Sequence, residues 1–176
     1  KIRSNVSSNY AIAKIADRSI DKKEHPKDIE VTKDPMDLPL DSNIDIIVEL
    51  LGGIDLPYKI ITESIRNKKH VITANKALIA EHGDEIFQLA KKNNVYFGFE
   101  ASVAGAIPII NTLTKNMANE NIISLAGIIN GTCNYILDQM ASNDMPFDDA
   151  LSSAKELGYA EADPTFDING MDAAHK

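Results

Sequence analysis

The chain has 176 residues, 44% of them hydrophobic and 25% charged, a balance suited to one good hydrophobic core or two small ones. A net charge of −8 without any Lys/Arg run argues against a nucleic-acid partner, and no apolar stretch approaches the ~20 residues of a membrane span. The single cysteine, Cys133, excludes an internal disulfide and fits a reducing, cytoplasmic setting.

The chain opens at Lys1 without methionine, and a polar stretch leads into an apolar run over residues 10–16 that predicts a strand ending at Asp17-Arg18. Residues 21–42, with Pro26, Pro35 and Pro39, read as an irregular connection holding one short strand near 29–31. Residues 44–51 form a nearly continuous apolar run that stops at Gly52-Gly53, as expected of a strand buried on both faces of a parallel sheet. Helical spacing follows over 56–68, a short strand over 70–74, a helix over 77–92 with Leu78, Ile79, Ile86, Leu89 and Ala90 on its core face, and a strand over 95–100. This alternation predicts βαβ units and an α/β fold with a Rossmann-like, doubly wound parallel sheet.

After Glu100 the texture changes. Residues 101–108 are rich in small side chains, where backbone can approach a ligand or ion closely. A helix is expected through about Asn116 with Pro108 in its first turn, then a strand over 121–130 that starts a second sheet. Gly131-Thr132 opens a helix through Met140, and another over 147–157 stops at Gly158. The Asn169-Gly170 step enters a last helix on which Asp172 and Lys176, four apart, share a face. A boundary near Val103 divides a nucleotide-binding domain, 1–103, from the start of an α+β substrate domain, 104–176. Both ends read as cut through a fold.

Ligands of α/β sheets bind at the carboxyl ends of the strands. Gly52-Gly53 lies there and allows close approach by a cofactor; a plain turn would look the same. Asn75-Lys76 lies past the next strand, where an amide and an amine face a cleft, although a lysine at a helix start is commonly just exposed. Glu100 reads either as a ligand for a hard cation or as a carboxylate capping local amides. Asp17-Arg18 sits where dinucleotide folds choose between a free ribose hydroxyl and a 2′-phosphate, and an acid beside a base leaves that choice open. Asp172 and Lys176 could seat a zwitterionic substrate and move its proton, or form an ordinary exposed pair worth ~0.2–0.5 kcal/mol.

Several longer motifs occur in order: Glu49-Leu-Leu-Gly-Gly53, His70-Val-Ile-Thr-Ala-Asn-Lys-Ala77, Phe99-Glu-Ala-Ser-Val-Ala-Gly105 with Ile107-Pro-Ile-Ile110, Asn130-Gly-Thr-Cys-Asn-Tyr-Ile-Leu137, Gly158-Tyr-Ala-Glu-Ala-Asp-Pro-Thr165 and Asp167-Ile-Asn-Gly-Met-Asp-Ala-Ala-His-Lys176. With them the chain resembles homoserine dehydrogenase from about Asp45 onward. The resemblance implies NAD(P)-dependent interconversion of L-aspartate 4-semialdehyde and L-homoserine, on the route to threonine and methionine, by a homodimer or homotetramer. It implies that Lys176 moves the proton and that Asp172 positions substrate and lysine. Glu161 and Asp167 would receive the amino acid's ammonium, and Gly131 and Thr132 would border the substrate. Lys76 would serve cofactor and substrate, and Glu100 with the carbonyls of Val103, Gly105 and Ile107 would hold Na⁺ or K⁺.

One departure stands at the front, where the family's first strand and its G-x-G-x-x-G loop are absent; no glycine precedes Gly52. The expectation is an internal piece of the enzyme that does not turn over alone. Rival readings are a different dehydrogenase on a similar fold and a non-catalytic nucleotide-binding or oligomerisation module.

Overall fold

Apolar residues alternating with a period of two need a covered face, and the computed structural model supplies it with helices. It describes residues 10–105 and 107–175. These divide into two compact units, one ending at Phe99 and the other starting at Glu100.

In the first unit, β1 (Lys14–Ala16) pairs in parallel with β2 (Glu30–Thr32), placing Lys14 opposite Glu30 and Ala16 opposite Thr32. The expected strand over 10–16 is thus halved. Its partner has three residues, and Tyr10 and Ile12 are left exposed. A second parallel sheet has the order β3 (Ile46–Glu49), β4 (His70–Thr73) and β5 (Phe97–Gly98). Between its strands run α2 (Asp55–Arg66) and α3 (Lys76–Asn93), and α1 (Asp37–Leu40) precedes β3.

Ile47 and Val71 face inward from the sheet to meet Ile60, Ile61 and Ile65 of α2 and Leu78, Ile86 and Ala90 of α3. Fully burying side chains of this size stabilises by roughly 1.5–3 kcal/mol each. The opposite face departs from expectation. Ile46, Val48 and Ile72 are 36%, 56% and 38% exposed, so β3 is buried on one face only. Both long helices pack on the same side, and the other is left partly exposed. The apolar run was a true strand signal; its double burial was not.

The second unit begins with a 3₁₀ turn, Glu100–Ser102, and a short α4 (Ile109–Asn111) that widens into a π-helical turn over Thr112–Asn116. Pro108 sits at the cap of α4, not inside its first turn. Residues 121–130, expected as a strand, carry no regular structure. Ile123, Leu125 and Ile128 are 94%, 70% and 77% exposed. β-branched residues favour a pleated surface only where another strand is present to pair with, and none lies in this unit among the described residues. α5 (Gly131–Asn143) and α6 (Phe147–Glu156) pack through Ile136, Ala150 and Ala154, joined by Ala160. Gly158, at φ +78°, ends α6 as expected. The short α7 (Thr165–Ile168) and α8 (Met171–Ala174) are joined by Asn169 and Gly170, and Gly170 holds φ +81°. Among the described residues no helix is long and apolar enough to cross a membrane.

Candidate active site

The carboxyl end of β3 is held by buried polar groups. Glu49, 3% exposed, accepts from the Thr73 hydroxyl at 2.6 Å and from the Leu51 amide at 2.5 Å. Thr73 Oγ1 in turn accepts from the Asn75 amide at 3.0 Å. Asn75 caps α3, its Oδ1 accepting from Leu78 N at 3.1 Å, while its Nδ2 donates to the carbonyls of Gly53 at 2.7 Å and Leu51 at 3.4 Å. Both ends of this amide are therefore spent on protein. Asn75 shapes the Gly52-Gly53 loop rather than reaching out of it. The loop itself is open: no atom lies within 4 Å of where a side chain would start at either glycine, and Gly53 takes φ +81°. Lys76, part-buried, is the first residue of α3.

At the end of β1, Asp17 accepts from Ser19 N at 2.7 Å and Ser19 Oγ at 2.8 Å, and pairs with Lys23. The Lys23 ammonium, then the two Ser19 donors, pull its carboxyl down to about 2. Arg18 beside it is exposed. The acid is committed internally while the base faces outward.

Glu100 caps α4. Its Oε1 accepts from Ile110 N at 2.9 Å, and its Oε2 accepts from Asn111 N at 2.9 Å and from the Asn111 side-chain amide. Each carboxylate oxygen has about two lone-pair sites, so Oε1 keeps one. The following loop holds Ala104 at φ +52° and Gly105 at φ +61°; for alanine that region is strained. Val103 is buried, Gly105 and Ile107 are exposed, and the Ile107 carbonyl accepts from Ile109 N at 2.8 Å. Among the described residues no group of three or more His, Cys, Asp or Glu gathers as a metal site.

The acidic segment converges on Asn130, a residue to which sequence analysis assigned no role. Asn130, 7% exposed, caps α5 by accepting from Cys133 N at 2.7 Å. Its Nδ2 donates to Asp167 Oδ1 and to Asp172 Oδ2, both at 2.8 Å. Burial, then the charges of Asp167 and Asp172, raise the Cys133 thiol above its ordinary range, and its Sγ donates to Asp167 O at 3.3 Å. Thr132 Oγ1 donates to Tyr159 O at 2.6 Å, tying the first turn of α5 to the loop after α6. Tyr159 stacks on Tyr135 with ring centroids 4.7 Å apart. Gly131 and Glu161 are exposed, Glu161 two residues beyond Tyr159. Asp163, turned onto Thr165, is held below the usual carboxylate range by the hydroxyl and amide of that residue. Lys176 lies outside the described residues, and α8 ends at Ala174.

Of the sequence-predicted residues, Asp167 and Asp172 are brought together by α5's cap, with Gly131 and Thr132 next to it in the chain. The available signal for Asn130 was its cap preference: asparagine directly before a Gly-Thr helix start. Nothing in sequence spacing pointed to acids 37 and 42 residues away.

Comparison with known proteins adds a family. The homoserine dehydrogenase family profile matches residues 108–176, and the profile for the homoserine dehydrogenase NAD binding domain matches residues 1–100. The chain is 53% identical to the homoserine dehydrogenase of Neisseria gonorrhoeae over 82% of its length and 33% of that protein's. It is 39% identical to that of Bacillus subtilis over 100% of its length and 41% of the relative's. A crystal structure of a homoserine dehydrogenase from Thiobacillus denitrificans superposes with a TM-score of 0.78 at 51% identity, covering 84% of this chain and 34% of that one. A hyperthermophilic archaeal homoserine dehydrogenase in complex with NADPH superposes at 0.74 with 35% identity, covering 86% and 47%. The chain spans between 31% and 41% of the length of the curated relatives it matches.

Proposed function

Because the chain belongs to the homoserine dehydrogenase family, we propose that the whole protein interconverts L-homoserine and L-aspartate 4-semialdehyde with a nicotinamide cofactor. The observation that carries this reading is the pairing of Asp167 and Asp172 on one buried amide, which gathers negative charge where an amino acid's ammonium would be received. Asp167 and Glu161 bind that ammonium. Asp172 orients Lys176, whose ammonium gives a proton to the aldehyde oxygen; in the reverse direction the amine takes the proton from the hydroxyl. The nicotinamide, when bound, supplies or accepts the hydride. Gly131 and Thr132 border the substrate at the start of α5.

For the cofactor, the open Gly52-Gly53 loop and Lys76 suit a dinucleotide at the carboxyl end of β3. Committing Asp17 to Ser19 and Lys23 removes the acid that would hold a ribose hydroxyl, and the exposed Arg18 suits a 2′-phosphate, so we assign NADP over NAD. For a monovalent cation, Glu100 Oε1 with the carbonyls of Val103, Gly105 and Ile107 offers the all-oxygen set that Na⁺ or K⁺ takes. A cytoplasmic homodimer or homotetramer of the relatives' full length is part of the proposal, and these 176 residues alone are expected not to turn over.

The test is Lys176→Ala in the full product of the gene. The expected outcome is a loss of kcat by about 10²-fold or more with NADPH affinity retained. Unchanged turnover would remove Lys176 from the mechanism. Arg18→Ala should raise KM for NADPH and leave that for NADH alone; activity unmoved in Na⁺- and K⁺-free buffer would strike out the cation.

A further inference from the structure

We propose that Asn130 is the positioning residue of the acid pair: its side-chain amide, not the helix-capping half of the same group, holds Asp167 and Asp172 together. The inference rests on the reading of these two acids as the substrate end of the site. Nothing in that reading requires a shared donor, and neither sequence nor family likeness gives Asn130 this role.

The geometry fixes the orientation of the amide. Cys133 N donates to Oδ1 at 2.7 Å, so the other end must be the NH₂, and its two hydrogens go separately to Asp167 Oδ1 and Asp172 Oδ2. Two oxygens each 2.8 Å from one nitrogen stand at most about 6 Å apart, where like charges repel. A neutral double donor stabilises both ionised carboxylates without adding a cation that would compete with a substrate ammonium or a lysine. The group is 7% exposed, so water cannot readily stand in for it. One residue thus ties α5, α7 and α8 to a common point. Its acceptor half caps the start of α5, and its donor half sets the spacing of the charges.

The two halves can be separated. Serine and aspartate cap helices about as well as asparagine but offer no NH₂. In the full gene product, Asn130→Ser should still fold, with the far-ultraviolet circular dichroism of the parent. The same variant should lose about 10–100-fold in kcat/KM for homoserine while its KM for NADPH stays within about twofold of the parent's. Asn130→Asp, a second cap-preserving variant should serine fail to fold, should lose at least as much. A kcat/KM for homoserine within twofold of the parent in either folded variant would overturn the proposal and reduce Asn130 to a cap. Full activity of Asp172→Asn would instead sink the substrate-site reading, and the proposal with it.

Discussion

Two asparagines, Asn75 and Asn130, begin the two longest functional helices with the same bond and put their remaining hydrogens to opposite uses. Each accepts from the backbone amide three residues on, capping α3 and α5 respectively. Asn75 gives its NH₂ to the carbonyls of Leu51 and Gly53, neutral groups of the fold itself. Asn130 gives its NH₂ to two carboxylates that nothing in the packing requires. Behind Asn75 lies a core of six isoleucines, a valine, a leucine and one alanine; behind Asn130 the buried cluster is one isoleucine and three alanines. A polar group that satisfies backbone builds a scaffold, whereas one that concentrates like charge builds a site. The same residue type at the same cap position can do either, depending on what the tertiary fold brings to its free side.

The largest expected effect on stability falls on the scaffold side. Ile61→Ala, at a fully buried position between sheet and helix, should cost about 3–5 kcal/mol in urea unfolding of the chain. Ile136→Ala, beside small neighbours, should cost less, about 2–3 kcal/mol. Equal costs would mean that the two cores do not differ as described. Next, Asn75→Ala removes a cap and orphans two carbonyls, for about 2–3 kcal/mol, and Asn75→Ser should recover only the cap's share of about 1 kcal/mol. Full recovery with serine would show that the bonds to Leu51 and Gly53 contribute nothing.

The smaller effects concern charge. Asp17 is held near 2, below its ordinary value, so its pairing favours the folded state above that ordinary value and is lost as pH falls through about 2. Lys23→Ala should therefore lower stability at pH 5 and match the parent below pH 2; a difference that persists in strong acid would assign Lys23 another role. Cys133, raised by burial and by the two acids, should resist iodoacetamide at pH 8 in the folded chain and react once unfolded.

Much of this was legible in the sequence, for identifiable reasons. The helices over 55–66, 76–93, 131–143 and 147–156 carry periodic apolar patterns, and β3 and β4 short apolar runs, that need no distant partner to be read. The second face of β3 and the strand expected at 121–130 were misjudged because β-branched runs report a preference for sheet, not the presence of a neighbour to cover or pair with them. Glu100 was left between cap and cation ligand, and the structure places it on three amide donors. Asn130 stayed out of sight because its importance comes from partners in α7 and α8, which only the tertiary fold brings near.

The central claim is that the acids gathered by Asn130 serve homoserine. Asp172→Asn keeps an oxygen for the Asn130 amide and removes only the charge, so homoserine-dependent NADP⁺ reduction by the full gene product tests the claim directly. A fall in kcat of about 10²-fold or more, with NADPH affinity within about twofold of the parent, is the predicted result. Turnover within twofold of the parent would contradict the account.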